Sequence, residues 1–223
     1  DISSVMNLPP NFQIYDSLGN YAWNEGGITL KDNPLAAYLI QHYRITTSNL
    51  QGSLLLSYRI LPNLEIRSSL GYNSTIADEL KKMPRASQNP SKGSATGSLQ
   101  IGNNQYKSWI AEPQLEYNTH ISKGRLTLLG GATFNATRNN SLMINATGYT
   151  SDELLGSLTA AGTNSIATAN TNNDYRYQAF FARANYNYDN KYLVNFTGRR
   201  DGSSRFGPQY RFSNFGSAGA AWL

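Results

Sequence analysis

Phe180-Phe181-Ala182-Arg183-Ala184-Asn185-Tyr186-Asn187-Tyr188, then Asp189-Asn190-Lys191, then Tyr192-Leu193-Val194-Asn195-Phe196-Thr197: this stretch decides the fold. Phe180, Ala182, Ala184, Tyr186 and Tyr188 alternate with Phe181, Arg183, Asn185 and Asn187. After a three-residue turn signal, Tyr192, Val194 and Phe196 alternate with Leu193, Asn195 and Thr197. Successive side chains of a strand point to opposite faces, so each run has an apolar face and a polar one. Two such runs joined by so short a link read as a β-hairpin.

The same period of two recurs along the chain. Leu50, Gly52, Leu54, Leu56, Tyr58 and Ile60 form one stripe, and Leu64, Ile66, Leu70 and Tyr72 the next. Ala111, Leu115, Tyr117 and Ile121 follow, then Leu126, Leu128, Gly130, Ala132 and Phe134. Tyr210, Phe212, Gly216, Ala218, Ala220 and Trp222 close the series. Tyr43, Ile45 and Thr47 use odd positions where the next stripe uses even ones, so a β-bulge near Ser48-Asn49 is expected. The reading is all-β: an antiparallel meander of about seven strands, near 43–60, 63–73, 105–121, 124–136, 175–188, 191–200 and 209–223. Residues 1–42 form a loop-rich segment punctuated by Pro9-Pro10, Gly19-Asn20, Gly26-Gly27 and Asn33-Pro34. Within it, Leu35 to Tyr43 reads as a short helix or an extended loop.

The connections sort by length. Tight turns near 61–63, 122–124 and 189–191 alternate with long polar excursions over 74–105 and 137–174. Alternation of short and long puts all tight turns at one end of the sheet. Transmembrane β-barrels have that asymmetry, while a soluble sandwich has no reason for it. Tyr58, Tyr72, Tyr117, Phe134, Tyr188 and Tyr192 lie on apolar faces near strand ends, where interfacial aromatic girdles sit. The opposite faces carry Glu, Arg, Gln, Asn and Ser, which suit a water-filled or plugged lumen. Seven strands cannot close such a barrel, and an unclosed wall has unpaired edges. The pattern stops in mid-strand at Trp222-Leu223, so the chain is expected to be a fragment of a longer polypeptide.

Composition narrows the classes. The chain has 223 residues, 19 Lys plus Arg and 14 Asp plus Glu, a net charge of +5. Charged residues are only 15% of the total and the basic ones are scattered, so no nucleic-acid partner is expected. Lys81-Lys82 and Arg85 read as a solvated loop. Cysteine is absent, which removes disulfide scaffolds, zinc ribbons and thiol nucleophiles. The opening residues Asp1-Ile2-Ser3-Ser4-Val5 carry no basic or apolar leader pattern. No run approaches the length of an apolar transmembrane helix, which says nothing against barrel strands.

No catalytic constellation emerges. His42 and His120 stand in unrelated contexts, and no zinc-protease, nucleophile-elbow or phosphate-loop motif is present. Glu112 and Glu116 share a strand face about 13 Å apart, beyond the about 5–9.5 Å of a glycosidase pair. Asp201-Gly202-Ser203-Ser204-Arg205 reads as a turn in which Asp201 accepts local backbone N–H groups, flanked by arginines aimed at lumen or plug carboxylates. No enzyme activity, metal or cofactor is expected.

Tyr192 to Pro208 ends in Arg199-Arg200-Asp201-Gly202-Ser203-Ser204-Arg205-Phe206-Gly207, followed by Arg211-Phe212 and Ala220-Ala221-Trp222. This resembles the signature of the SusC/RagA family of TonB-dependent outer-membrane transporters of the Bacteroidetes. Asn33-Pro34-Leu35-Ala36, Leu61-Pro62-Asn63-Leu64, Leu70-Gly71-Tyr72, and Trp109 ahead of Glu112-Pro113-Gln114-Leu115-Glu116-Tyr117 agree in order. The resemblance implies part of a barrel of about 22 strands with a plug, placed in the bacterial outer membrane. It implies outer-membrane lipid around the wall, a SusD-like lipoprotein partner, energy from TonB, and import of a bulky nutrient, glycan or peptide. It also leaves the isolated fragment able to self-associate. The competing reading is a soluble extracellular β-sandwich that binds glycans. The two differ in whether the apolar faces meet lipid or each other.

Overall fold

In the computed structural model, residues 6, 8–25, 27–30, 33–92, 95–163 and 165–223 are described. Asp1–Val5, on which the leader reading rests, and Gly26 of the Gly26-Gly27 signal lie outside them. A small antiparallel hairpin pairs β1 (Asn24–Glu25) with β2 (Ile28–Thr29). Helix α1 (Pro34–Ile40) settles the choice left open for Leu35 onward. Asn33 caps it, its Oδ1 accepting from Leu35 N at 2.9 Å and Ala36 N at 3.2 Å, and Pro34 takes the first turn, where no N–H is needed.

Seven strands follow: β3 (His42–Leu61), β4 (Leu64–Met83), β5 (Gly97–Ile121), β6 (Gly124–Tyr149), β7 (Ile166–Tyr188), β8 (Tyr192–Ser203) and β9 (Phe212–Trp222). They form one antiparallel sheet in strictly sequential order, and it does not close on itself. The sandwich reading fails here, because the seven strands form one layer with no second large sheet among the described residues. The turn at Asp189-Asn190 has φ of 54° and 52°, with Lys191 N donating to Tyr188 O at 3.0 Å. Two left-handed central residues make a type I′ turn, whose twist matches the flanking strands.

Strands β4 to β8 run further than their alternation suggests, whereas β9, expected over 209–223, starts only at Phe212. The expected excursion over 74–105 shrinks to 84–96, and that over 137–174 shrinks to 150–165. Alternation marks a strand only where one face must be apolar. Beyond that zone, polar pairs hold the ladder. Asp78 Oδ1 accepts from Asn103 Nδ2 at 2.6 Å, Glu79 Oε1 accepts from Asn104 Nδ2 at 3.0 Å, and Ser141 Oγ donates to Asn104 Oδ1 at 2.5 Å.

The described chain divides into two units. The first comprises Asp1–Thr47, Ala77–Asn104 and Ser141–Thr171. Its core is Leu99, Ala146, Tyr149 and Leu155, all buried. Tyr149 buries its ring and donates its hydroxyl to Ser157 O at 3.0 Å. A side chain at Gly97 would meet Leu155 Cδ2 at 3.0 Å and Tyr149 Cβ at 3.2 Å, so the strand must start with glycine to let this core close. Asp152 Oδ1 accepts from Arg85 N at 2.6 Å, and the Arg85 guanidinium donates to Thr150 O at 2.6 Å and Ala95 O at 3.0 Å. One arginine thus ties the 84–96 connection to the 150–165 connection. Asn89 Nδ2 donates to Leu30 O at 2.8 Å, fixing the N-terminal segment to the same cluster.

The second unit comprises Ser48–Ile76, Gln105–Asn140 and Asn172–Leu223. It has no comparable buried cluster, and its apolar side chains stay exposed: Leu54, Leu56, Tyr58, Phe180, Phe196 and Trp222 among them. A sheet this apolar on one side needs something other than itself to cover it.

Candidate functional site

The register of β7, β8 and β9 resolves that side into rows. Paired residues of antiparallel strands share a face. Tyr188–Tyr192–Trp222 is the row next to the type I′ turn. Then come Tyr186–Val194–Ala220, Ala184–Phe196–Ala218 and Ala182–Gly198–Gly216. Phe180–Arg200–Asn214 ends the apolar series, with Phe180 edge-on to Phe134 of β6, ring centroids 6.0 Å apart. From Phe180 to Tyr188 the face is apolar over nine positions, matching the about 9–11 residues with which a tilted strand crosses hydrocarbon. Aromatic rings bound it at both ends. Trp222, absent from the girdle read in the sequence, completes the row of Tyr188 and Tyr192, whose centroids are 6.5 Å apart.

The other face is a hydrogen-bonded polar lattice. The Arg67 guanidinium reaches Glu116 Oε2 at 2.6 Å, with side chains 41% and 29% exposed. Asn118 Nδ2 donates to Glu116 Oε1 at 2.8 Å, and Thr127 Oγ1 donates to Asn118 Oδ1 at 2.6 Å. That chain of contacts spans β4, β5 and β6. Thr133 donates to Glu112 at 3.2 Å. Both glutamates read as lumen-lining acids are thus engaged in structural hydrogen bonds.

The Arg199–Gly207 signature does not converge on one pocket. Arg199 lies on the polar face, donating to Asp201 Oδ1 at 2.6 Å and Tyr177 Oη at 2.6 Å, 5.8 Å from the centroid of the Phe181 ring. Arg200 lies on the apolar face, 5.0 Å from the centroid of the Phe212 ring. Arg205 stacks on Tyr175 at 4.6 Å. Asp201 corrects the sequence reading. It sits within β8, paired with Ala179 and Ser213, and its carboxylate takes Arg199 Nε rather than turn N–H groups. The strand outlasts its expected end near residue 200 because this charge is satisfied along the strand. The serines serve the turn instead: Ser203 Oγ accepts from Arg205 N at 3.3 Å and Ser204 Oγ from Arg176 N at 2.9 Å. Gly202 is required by close approach, since a Cβ there would fall 2.5 Å from Phe212 Cε1. Phe206 is exposed, and Gly207 O accepts from Tyr210 N at 2.9 Å. Among the described residues, no group of three or more His, Asp or Glu could hold a metal ion.

Known proteins resemble the chain in sequence and in shape. No family-level sequence model matches the chain. TonB-dependent receptors P3 and P26 of Formosa agariphila (strain DSM 15362 / KCTC 12365 / LMG 23005 / KMM 3901 / M-2Alg 35-1) are each 26% identical over 99% of this chain. The chain spans 22% of each of them, about a fifth of their length. The solved RagAB peptide transporter is 25% identical, with a TM-score of 0.75 over 93% of this chain and 23% of its own. The RagAB importer in its open-open state, 24% identical, shares the fold with a TM-score of 0.78 over 96% of this chain and 24% of its own.

In sequence and shape the chain matches a stretch of the barrel of SusC/RagA-type TonB-dependent receptors. The open seven-stranded sheet matches part of the barrel wall of such a receptor. Sequence alone located the two faces of the wall. It missed the role of Trp222, which follows only from the β8–β9 register. It also missed the Leu99–Tyr149–Leu155 core, whose residues carry no period. The TonB-dependent receptor relatives are named as receptors and the structural neighbours as importers or transporters, none as an enzyme.

Proposed function

We propose that this wall stands in a bacterial outer membrane, its apolar rows against lipid and its polar lattice toward an enclosed lumen. The whole receptor imports a bulky nutrient, a glycan or a peptide, with a SusD-like lipoprotein as lid and TonB as the source of energy. The observation that carries the reading is the row order of β7, β8 and β9. One face is apolar for the thickness of a hydrocarbon layer and bounded by aromatics, while the opposite face carries polar side chains that hydrogen-bond across β4, β5 and β6. The RagAB structures favour peptide over glycan as the cargo, because they are of a peptide importer. On this reading the Arg199–Gly207 signature shapes the wall and its rim and does not itself bind cargo.

The test has two arms. A tagged receptor carrying this segment, purified from detergent-solubilised outer membranes, co-purifies a lipoprotein. A strain lacking the receptor loses growth on either peptides or one glycan as sole nutrient. Recovery of the receptor in the soluble fraction, or unimpaired growth on every such nutrient, defeats the reading.

A further inference from the structure

Two hollows on the apolar face of the wall, one above the other, call for an occupant. The first, about 710 Å³, lies beyond Phe180 on the side of the long connections. Tyr72, Trp109, Phe134 and Phe212 line it. Tyr72, Trp109, Phe134 and Phe212 continue the apolar rows, and Phe181, Arg199 and Asp201 do not line it, so the hollow opens mainly on the apolar side, with Tyr177 of the polar face at its margin. Four cations, Lys107, Arg138, Arg176 and Arg211, surround it with a single carboxylate, Asp174. Asp174 is consumed by Arg138 in a two-point pair at 2.8 and 2.9 Å. Four cations therefore share one carboxylate, which also feels Arg176, above a ring of aromatics where the apolar band ends.

The second hollow, about 730 Å³, sits within the band. Its floor is the row Ala182–Gly198–Gly216 together with Gly130 and Ala184, and Leu115, Leu128 and Phe196 form its walls. Nothing in this chain demands those glycines. A Cβ at Gly130 or Gly198 would meet no atom within 4 Å, one at Gly216 would make only an ordinary contact with Thr197 O at 3.5 Å, and none of the three has positive φ. Glycine weakens a strand, so a row of it facing open space leaves room for something outside the chain.

We infer that this face binds an outer-leaflet lipid with a phosphate headgroup. The phosphate sits among Lys107, Arg176 and Arg211, and one acyl chain lies along the Ala182–Gly198–Gly216 groove. The inference rests on the membrane placement proposed above. Charge complementarity favours an anionic headgroup, since basic pockets beside the hydrocarbon recruit phosphorylated lipids. The groove continues from the cation cluster in the direction a chain takes from its headgroup.

The experiment uses the receptor carrying this segment, purified in mild detergent and examined by native mass spectrometry. The probes are phosphatidylglycerol, phosphatidylcholine with the same acyl chains, and inorganic phosphate alone. Phosphatidylglycerol is retained in preference to phosphatidylcholine, and millimolar phosphate does not displace it. Replacing Lys107, Arg176 and Arg211 by Gln weakens that preference by about fivefold for each cation removed. Gly198→Leu fills the groove and lowers retention of both lipids alike, while heat-modifiable gel mobility reports that the barrel still folds. Equal retention of the two lipids, displacement by phosphate alone, or unchanged retention in both variants overturns the inference. Alkaline extraction of membranes separates the two levels. A receptor that stays in the membrane yet retains no phosphatidylglycerol defeats only the lipid site, whereas one released as soluble protein defeats the membrane placement itself.

Discussion

Tyr192 and Trp222 stand directly opposite each other across β8 and β9, on the same face as Tyr188. Rings so aligned mark the edge of the apolar band, and the band's interior starts one row away. Ala184 lies in that interior and Asn185 beside it faces the polar lattice. Ala184→Arg is expected to cost about 2–4 kcal/mol, the penalty for a cation on the lipid face near mid-bilayer. Asn185→Arg, one position along, is expected to cost far less. Urea titration of the receptor in lipid micelles measures both, and equal penalties would refute the assignment of faces.

The core of the first unit depends on Leu155, which is 2% exposed against Tyr149 and Gly97. Leu155→Ala removes buried methyl groups and leaves a cavity, a loss of about 2–4 kcal/mol for the local structure. Limited proteolysis should then cut faster within 150–165 while the strands stay protected. An unchanged cleavage rate counts against this core.

Asp16 accepts from Asn20 N at 2.8 Å and from Leu18 N at 2.9 Å. These bonds favour the carboxylate, first of all the one from Asn20, and hold its pKa below the ordinary value. A lowered folded pKa stabilises the turn above the unfolded value of about 3.9. That contribution fades as pH falls through the folded pKa. Carbon-13 titration of the Asp16 carboxyl should give a midpoint below that of a free aspartate, and one at or above it would contradict the geometry.

Among the described residues, both outer strands of the sheet, β3 and β9, lack a second partner. Expressed by itself without detergent, the 223-residue chain is expected to form multimers through these edges and the uncovered apolar face. Light scattering behind size exclusion would reveal them. A monodisperse monomer in plain buffer would mean that the apolar rows find cover within one copy.

How much could be read beforehand depends on what each residue has to face. Ala182, Ala184, Tyr186 and Tyr188 form one apolar face while Arg183, Asn185 and Asn187 form the polar one, so period and turn placement were plain in the sequence. Asp78, Asn103, Asn104 and Ser141 pair across strands with polar groups on either side, so their strands carried no alternation and looked like loop. Asp201 misled for a related reason. A carboxylate before Gly202 suits a turn, and only the proximity of Arg199 two residues back shows why it stays in the strand. The lipid hollow was illegible because it depends on which glycines align across three strands, and alignment is a property of register.

The strictly sequential strand order carries a consequence for biogenesis. Every strand finds its neighbour in the next stretch of polypeptide, so zipping can advance one hairpin at a time without waiting for distant sequence to arrive. Such local pairing keeps the loop-closure cost of each step low. A machine that inserted such a wall would have to guard its two open margins, β3 and β9, rather than a collapsed and entangled intermediate.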